Sequence, residues 1–153
     1  MNAVMQEITD HDPDSGIYGD CFRAALATIL DLPIHSVPHY MQIHHPDIDL
    51  ALREYGKFLA GLGYMIVVMP GRVFMDLIRD TGMDCYHLII ANSAELNGQV
   101  VGHALVGLNG RIVHNPIPGG EEVKGTVDDW QIGVFVKTFV AKQGTNQGNR
   151  NDD

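Results

Sequence analysis

The spacing of apolar residues in this chain changes character part-way along, and that change limits the fold more than any single motif does. Residues 21–31 carry Cys21, Phe22, Ala25, Leu26, Ile29 and Leu30 at helical intervals, and residues 48–62 do the same with a buried stripe of Ile48, Leu52, Tyr55, Leu59 and Leu62. Residues 64–69 read as a short buried strand closed by Pro70-Gly71, and a third, short helix fits residues 73–79. From Cys85 onward, residues 85–91, 101–108, 111–115 and 132–140 are strand-like runs separated by turn residues. Helices first and strands after predict an α+β fold, with N-terminal helices packed on a C-terminal antiparallel sheet.

Punctuation between these segments completes the outline. Residues 1–19 form an irregular arm ending in the Asp12-Pro13-Asp14-Ser15-Gly16 turn cluster, and Leu32-Pro33 stops the first helix. Residues 34–46 carry two prolines and four histidines and read as a loop with at most a short helical turn. Gly61 and Gly63 are candidates for left-handed backbone at the end of the second helix. With 153 residues, 45% of them hydrophobic, the chain suits one domain over residues 1–142, followed by a polar, disordered tail over residues 143–153.

Charge and cysteine usage narrow the function. Ten basic against nineteen acidic residues give a formal charge of -9, which argues against nucleic acid or an anionic membrane surface as a partner. Neither a signal peptide nor a membrane span is expected, so the chain reads as cytoplasmic. With Cys21 and Cys85 as its only cysteines it has no disulfide framework, and a reducing compartment would keep a thiol active.

The chemistry-bearing residues fall in a telling order. Asp20 is a good N-cap for a helix beginning at Cys21, whose thiol would face unpaired backbone N–H groups and the positive end of the helix dipole, both favouring the thiolate. Gly102-His103-Ala104-Leu105-Val106 places an imidazole at the start of an apolar strand, and Val113-His114-Asn115-Pro116 supplies an orienting amide. The Asn109-Gly110 hairpin decides whether these two can meet. A strict two-residue turn pairing Leu108 with Arg111 puts Asn115 on the opposite sheet face from His103. A three-residue loop with Gly110 left-handed pairs Gly107 with Arg111 and sets His103 opposite Asn115. The bulged turn is therefore expected, with Ala104, Val106, Leu108 and Ile112 together on the core side.

Gly19-Asp20-Cys21-Phe22-Arg23-Ala24-Ala25, Leu32-Pro33, Val37-Pro38-His39-Tyr40, Gly102-His103-Ala104-Leu105-Val106-Gly107 and Gly110-Arg111-Ile112-Val113-His114-Asn115-Pro116 together resemble a papain-like cysteine peptidase-like family of small phage and bacterial proteins. That family is similar to the bacteriocin-processing, double-glycine peptidase domains of transporters. The resemblance spans residues 19–136. It implies a papain-like fold and a thiol hydrolase, a cysteine peptidase or amidase, with Cys21 as nucleophile, His103 as base and acid, and Asn115 as orienter. In that pattern the last position is more often Asp. It also implies an oxyanion-hole Gln shortly before the cysteine; here Gln6 stands fifteen positions upstream, and Ser15 or backbone N–H groups are the alternatives. No cofactor is implied, the substrate would be a peptide or small amide, and a phage-encoded chain would act in its host's cytoplasm.

Competing readings attach to the same residues. An acyl transferase of transglutaminase type would use the same triad, and a non-catalytic binding or inhibitory protein would keep the scaffold alone. His35, His39, His44 and His45 crowd one loop with His11, Asp12 and Asp14 upstream, but their spacings match no compact zinc pattern, so no metal is assigned. Cys85 reads as core, Arg23 as an ion-pair or carbonyl partner, and Trp130 as closing an edge of the core. Gly119-Gly120 precedes Glu121-Glu122, which would repel a phosphate. Oligomeric state leaves no mark on the sequence.

Overall fold

The computed structural model describes residues 1–96, 99–120 and 123–139. Those residues form four α-helices and a five-stranded antiparallel sheet, an α+β architecture. The helices are α1 (Cys21–Leu30), α2 (Tyr40–Ile43), α3 (Ile48–Gly61) and α4 (Gly71–Thr81). The strands are β1 (Tyr64–Pro70), β2 (Tyr86–Leu96), β3 (Gln99–Leu108), β4 (Arg111–His114) and β5 (Gln131–Lys137), in the spatial order β1-β5-β2-β3-β4. The expected tail over residues 143–153 lies outside the described residues.

Alternation along β2 and β3 sends their side chains into two different cores. Leu88, Ala104 and Val106 face α1, where Cys21, Phe22, Ala25 and Ile29 pack on them. Ile89, Ala91 and Leu105 point the other way and pack with Phe74 of α4, Trp130 and Ile132. Helices thus cover both faces of the sheet, because α4 crosses to the side that the N-terminal helices leave open. Trp130 is core, as its sequence position suggested. A third cluster, Leu26, Ala27, Val37 and Tyr55, joins α1 to α3. Full burial of a side chain such as Leu26 or Leu105 is worth roughly 1.5–3 kcal/mol, so these clusters fix where α1 starts relative to β3.

Two sequence expectations change here. In α3 the buried stripe is Ala51, Tyr55 and Leu59, whereas Ile48, Leu52 and Leu62 are exposed. Four-residue spacing from Tyr55 selects Ala51, a residue too small to have drawn notice beside its larger neighbours. The strand at Tyr64 is an edge strand with Met65, Val67 and Val68 exposed, not a buried one, since β5 pairs with one side of it only. Of the two glycines after α3, Gly63 takes the left-handed backbone, with φ +81°, and Gly61 remains helical. Among the described residues no helix is long and apolar enough to cross a membrane.

Candidate active site

His103 and Asn115 meet. His103 Nε2 lies 2.9 Å from Asn115 Oδ1, and the backbone N–H of Ile117 donates to the same oxygen at 3.1 Å. A backbone N–H only donates, so the Asn115 atom there must be the carbonyl oxygen, and His103 Nε2 must be the protonated ring nitrogen. In the neutral imidazole Nδ1 then carries the lone pair.

The route to that contact differs from the expected bulged turn. Leu108 pairs with Arg111 across a two-residue turn in which Asn109 and Gly110 have φ of 52° and 78°, the primed geometry that Asn-Gly favours. The extra residue enters later, between the Gly107–Ile112 and Val106–His114 pairs, so Val113 is the bulge. One inserted residue in β4 reverses its alternation and returns Asn115 to the His103 face. Ile112, opposite Gly107, is consequently 39% exposed and does not join Ala104 and Val106 in the core.

Cys21 opens α1, half-buried against Ala25, Leu88, Ala104 and Val106. Contrary to the sequence expectation, its thiol is pushed up from the ordinary cysteine range, with burial the largest cause. Hydrogen bonding from the backbone of Ala104, Phe22 and Cys21 itself pulls the other way, and the Asp20 charge adds to the rise. The thiol thus meets β3 at the backbone of Ala104, the residue directly after His103. Pleat alternation alone puts the His103 side chain with Ala91, its cross-strand partner, away from Ala104. A β-bulge at Asn92/Ala94 interrupts the pairing just beyond that partner, and bulges re-aim neighbouring side chains.

Asp20 occupies the N-cap position, yet its carboxylate does not cap α1. Fully buried, it accepts from the backbone N–H groups of Glu7 at 3.0 Å and Ile8 at 2.9 Å through Oδ1, while Oδ2 pairs with Arg23 at 3.3 Å. Arg23 also donates from Nε to the Val37 carbonyl at 2.7 Å and pairs with Glu7, the structural role expected of it. The N-terminal arm runs antiparallel to α1: Asn2 N–H reaches Asp31 and Val4 N–H reaches Thr28 Oγ1. On its other side His114 Nε2 donates to the Val4 carbonyl, and Gln6 N–H donates to Pro116 O. The arm therefore bridges the start of the nucleophile helix to the segment that carries Asn115.

This bridging changes the meaning of the fifteen-residue gap before Cys21. Asp20 N–H donates to Ile8 O at 3.1 Å, so residues 9–19 are an excursion that leaves and rejoins at one point. Within it, Asp12 and Ile17 exchange backbone hydrogen bonds across the turn Pro13–Ser15. Without that excursion, Gln6-Glu7-Ile8 abuts Asp20-Cys21. Gln6 is buried, donates from Nε2 to Ile8 O at 3.0 Å, and keeps a second amide hydrogen. Ser15, the alternative donor, lies exposed in the excursion, where its hydroxyl donates to Asp12 at 2.6 Å.

His39 and His45 pin the excursion to the α2 region. His39 and His45 donate from Nε2 to the carbonyls of Tyr18 and Pro13, both at 2.9 Å, and Gln42 bonds Tyr18 N–H and Gly16 O. His11 and His45 pack edge-on against Tyr18. Cys85 is half-buried beside the Trp130 core cluster, and burial raises its thiol too. An apolar hollow of about 280 Å³ lined by Ile29, Leu32, Leu62 and Phe135 lies at the opposite end of α1 from Cys21.

The clasp that Asp20 makes on the arm leaves no local signal: an Asp before a helix signals a cap, and nothing near it in sequence says that distant N–H groups will claim it. No family model, curated protein or solved structure matches this chain.

Proposed function

We propose that the protein is a thiol-dependent hydrolase of papain-like type, acting on the carbonyl of a peptide or small amide. The observation that carries this reading is the His103–Asn115 pair, whose fixed tautomer leaves a basic Nδ1, set one residue from the backbone that meets the Cys21 thiol. His103 takes the thiol proton, and Sγ attacks the carbonyl carbon as the C=O pair moves onto oxygen. Backbone N–H of Cys21 and the spare amide hydrogen of Gln6 hold that oxyanion. Collapse of the adduct breaks the C–N bond, with His103 returning the proton to the leaving amine. Water then attacks the thioester and frees the acid; an amine in its place makes the protein an acyl transferase. A reducing compartment such as the cytoplasm keeps both cysteines as free thiols.

The raised Cys21 thiol supports a second reading, a binding protein that retains the scaffold without the chemistry. Iodoacetamide labelling of Cys21 against pH separates the two, with Cys21→Ala isolating its signal from Cys85. The hydrolase reading expects wild-type labelling that extends below pH 7 and a His103→Ala profile displaced above the ordinary thiol value of 9.0. Identical profiles for wild type and His103→Ala would leave the binding protein.

A further inference from the structure

We infer that Asp20 is a positioning residue: its buried carboxylate clasps the arm at Glu7 and Ile8 and so holds the Gln6 amide against the start of α1, where the carbonyl oxygen of an adduct on Cys21 would sit. This inference rests on Cys21 being the nucleophile. Its ground is how the hydrogen bonds are distributed. An Asp at an N-cap normally accepts from its own helix, and an anion there would compete with an oxyanion for the same N–H groups. Here Oδ1 is committed to Glu7 and Ile8, Oδ2 to Arg23, and the Asp20 side chain makes no cap bond. The first-turn N–H groups are thereby left to the cysteine side. The same carboxylate fixes both peptide groups that follow Gln6, while Pro116 O fixes the one before it, so the Gln6 side chain projects from a backbone anchored on both sides.

Two probes of Cys21 test this without knowledge of the substrate. Iodoacetamide alkylates by displacement at a saturated carbon and builds no oxyanion. N-acetylglycinal adds reversibly: the S–C bond forms, the C=O pair moves to oxygen, and the thiol proton ends on that oxygen, which needs hydrogen-bond donors. Aldehyde affinity is read as protection of Cys21 from iodoacetamide, with folding checked by far-ultraviolet dichroism. Asp20→Ser, which can cap α1 but cannot reach the arm, is expected to weaken protection about tenfold or more while the iodoacetamide rate stays within about twofold. Gln6→Ala should weaken it equally, and the double variant no further, since both remove one donor. Asp20→Asn, which retains the acceptor for Glu7 and Ile8, should restore most of the affinity and keeps the test open if Asp20→Ser does not fold. Additive losses, an unaltered aldehyde affinity in Asp20→Ser, or a parallel fall in iodoacetamide rate would overturn the clasp. Slow, His103-independent labelling in the wild type would instead overturn the hydrolase reading, and the inference with it.

Discussion

His103 and His87 lie on the adjacent strands β3 and β2, opposite Ala91 and Gly107 respectively, yet their surroundings have little in common. His103 is 4% exposed, midway along β3 beside a bulge in β2, and its ring is fixed by a side chain, Asn115. His87 is wholly buried, its Nδ1 donates to a backbone carbonyl, Cys85 O, and its Nε2 has no hydrogen-bond partner. Phe74 tilts over its ring at 4.4 Å and Gly107 lies beneath its Nε2. A ring held by another side chain keeps a defined tautomer and direction, which proton transfer requires. A ring packed between a glycine and a phenylalanine is held by shape, and burial lowers its pKa, which favours the neutral form.

The largest effect expected from this contrast is on chemistry. His103→Ala should slow hydrolysis of an activated thioester, measured as thiol release, by about 10²-fold or more, the usual contribution of a positioned base. His87→Leu should stay within about twofold in the same assay, and a comparable loss there would erase the distinction. Asn115→Ala comes next: it frees the imidazole to rotate, and a fall of roughly tenfold in rate is expected. Asn115→Asp should retain the acceptor and, by placing a negative charge on the ring, extend Cys21 labelling to lower pH; a profile moved upward would deny the contact its electrostatic role.

On the other histidine the effect is on stability. A Cβ at position 107 would sit 2.2 Å from His87 Nε2, and neither β2 nor β3 has room to part. Gly107→Ala should therefore cost roughly 2 kcal/mol in urea denaturation, and pairing it with His87→Ala should recover much of that. Equal costs in both backgrounds would show that the glycine is needed for its backbone, not for the ring above it.

How much of this was legible in the sequence depended on the range of the interaction. Segments governed by local periodicity and turn chemistry, such as α1, β3 and the hairpin at Asn109-Gly110, are where the residue pattern puts them. The meeting of His103 with Asn115 was legible as well, but by a parity argument that places one extra residue somewhere in β4 without saying where. Asn-Gly takes the tight turn by intrinsic preference, and Val113 absorbs the extra residue. Interactions closed over long separations left no such trace. The arm's pairing along α1 and the return of residues 9–19 to Ile8 depend on backbone groups that every residue possesses, so Gln6 reads as remote from Cys21 although its amide shares the Ile8 carbonyl with the Asp20 N–H. Burial of the Cys21 thiol was illegible for a related reason, since the helix dipole is local to α1 but the desolvation comes from β2 and β3.

The smallest effect is also the one that reads His87 most directly. Its folded-state pKa lies below the ordinary value of 6.5, so an unfolded chain binds a proton there as pH falls through 6.5 while the native one does not. Stability from the neutral ring is complete above that value and declines as pH drops through it toward the folded pKa. His87→Leu removes the titrating group, forfeits one hydrogen bond to Cys85 O and removes an unpartnered nitrogen, so near pH 7.5 the cost should be within about 1 kcal/mol. Urea midpoints taken from pH 7.5 down to 5 should accordingly fall less in His87→Leu than in wild type. His11, whose pKa burial also lowers against the raising charge of Asp12, keeps the remaining slope above zero. Parallel curves for the two proteins would mean that the interior around His87 opens readily to water, and the packing of its ring between Phe74 and Gly107 would lose its claim to be what sets it apart from His103.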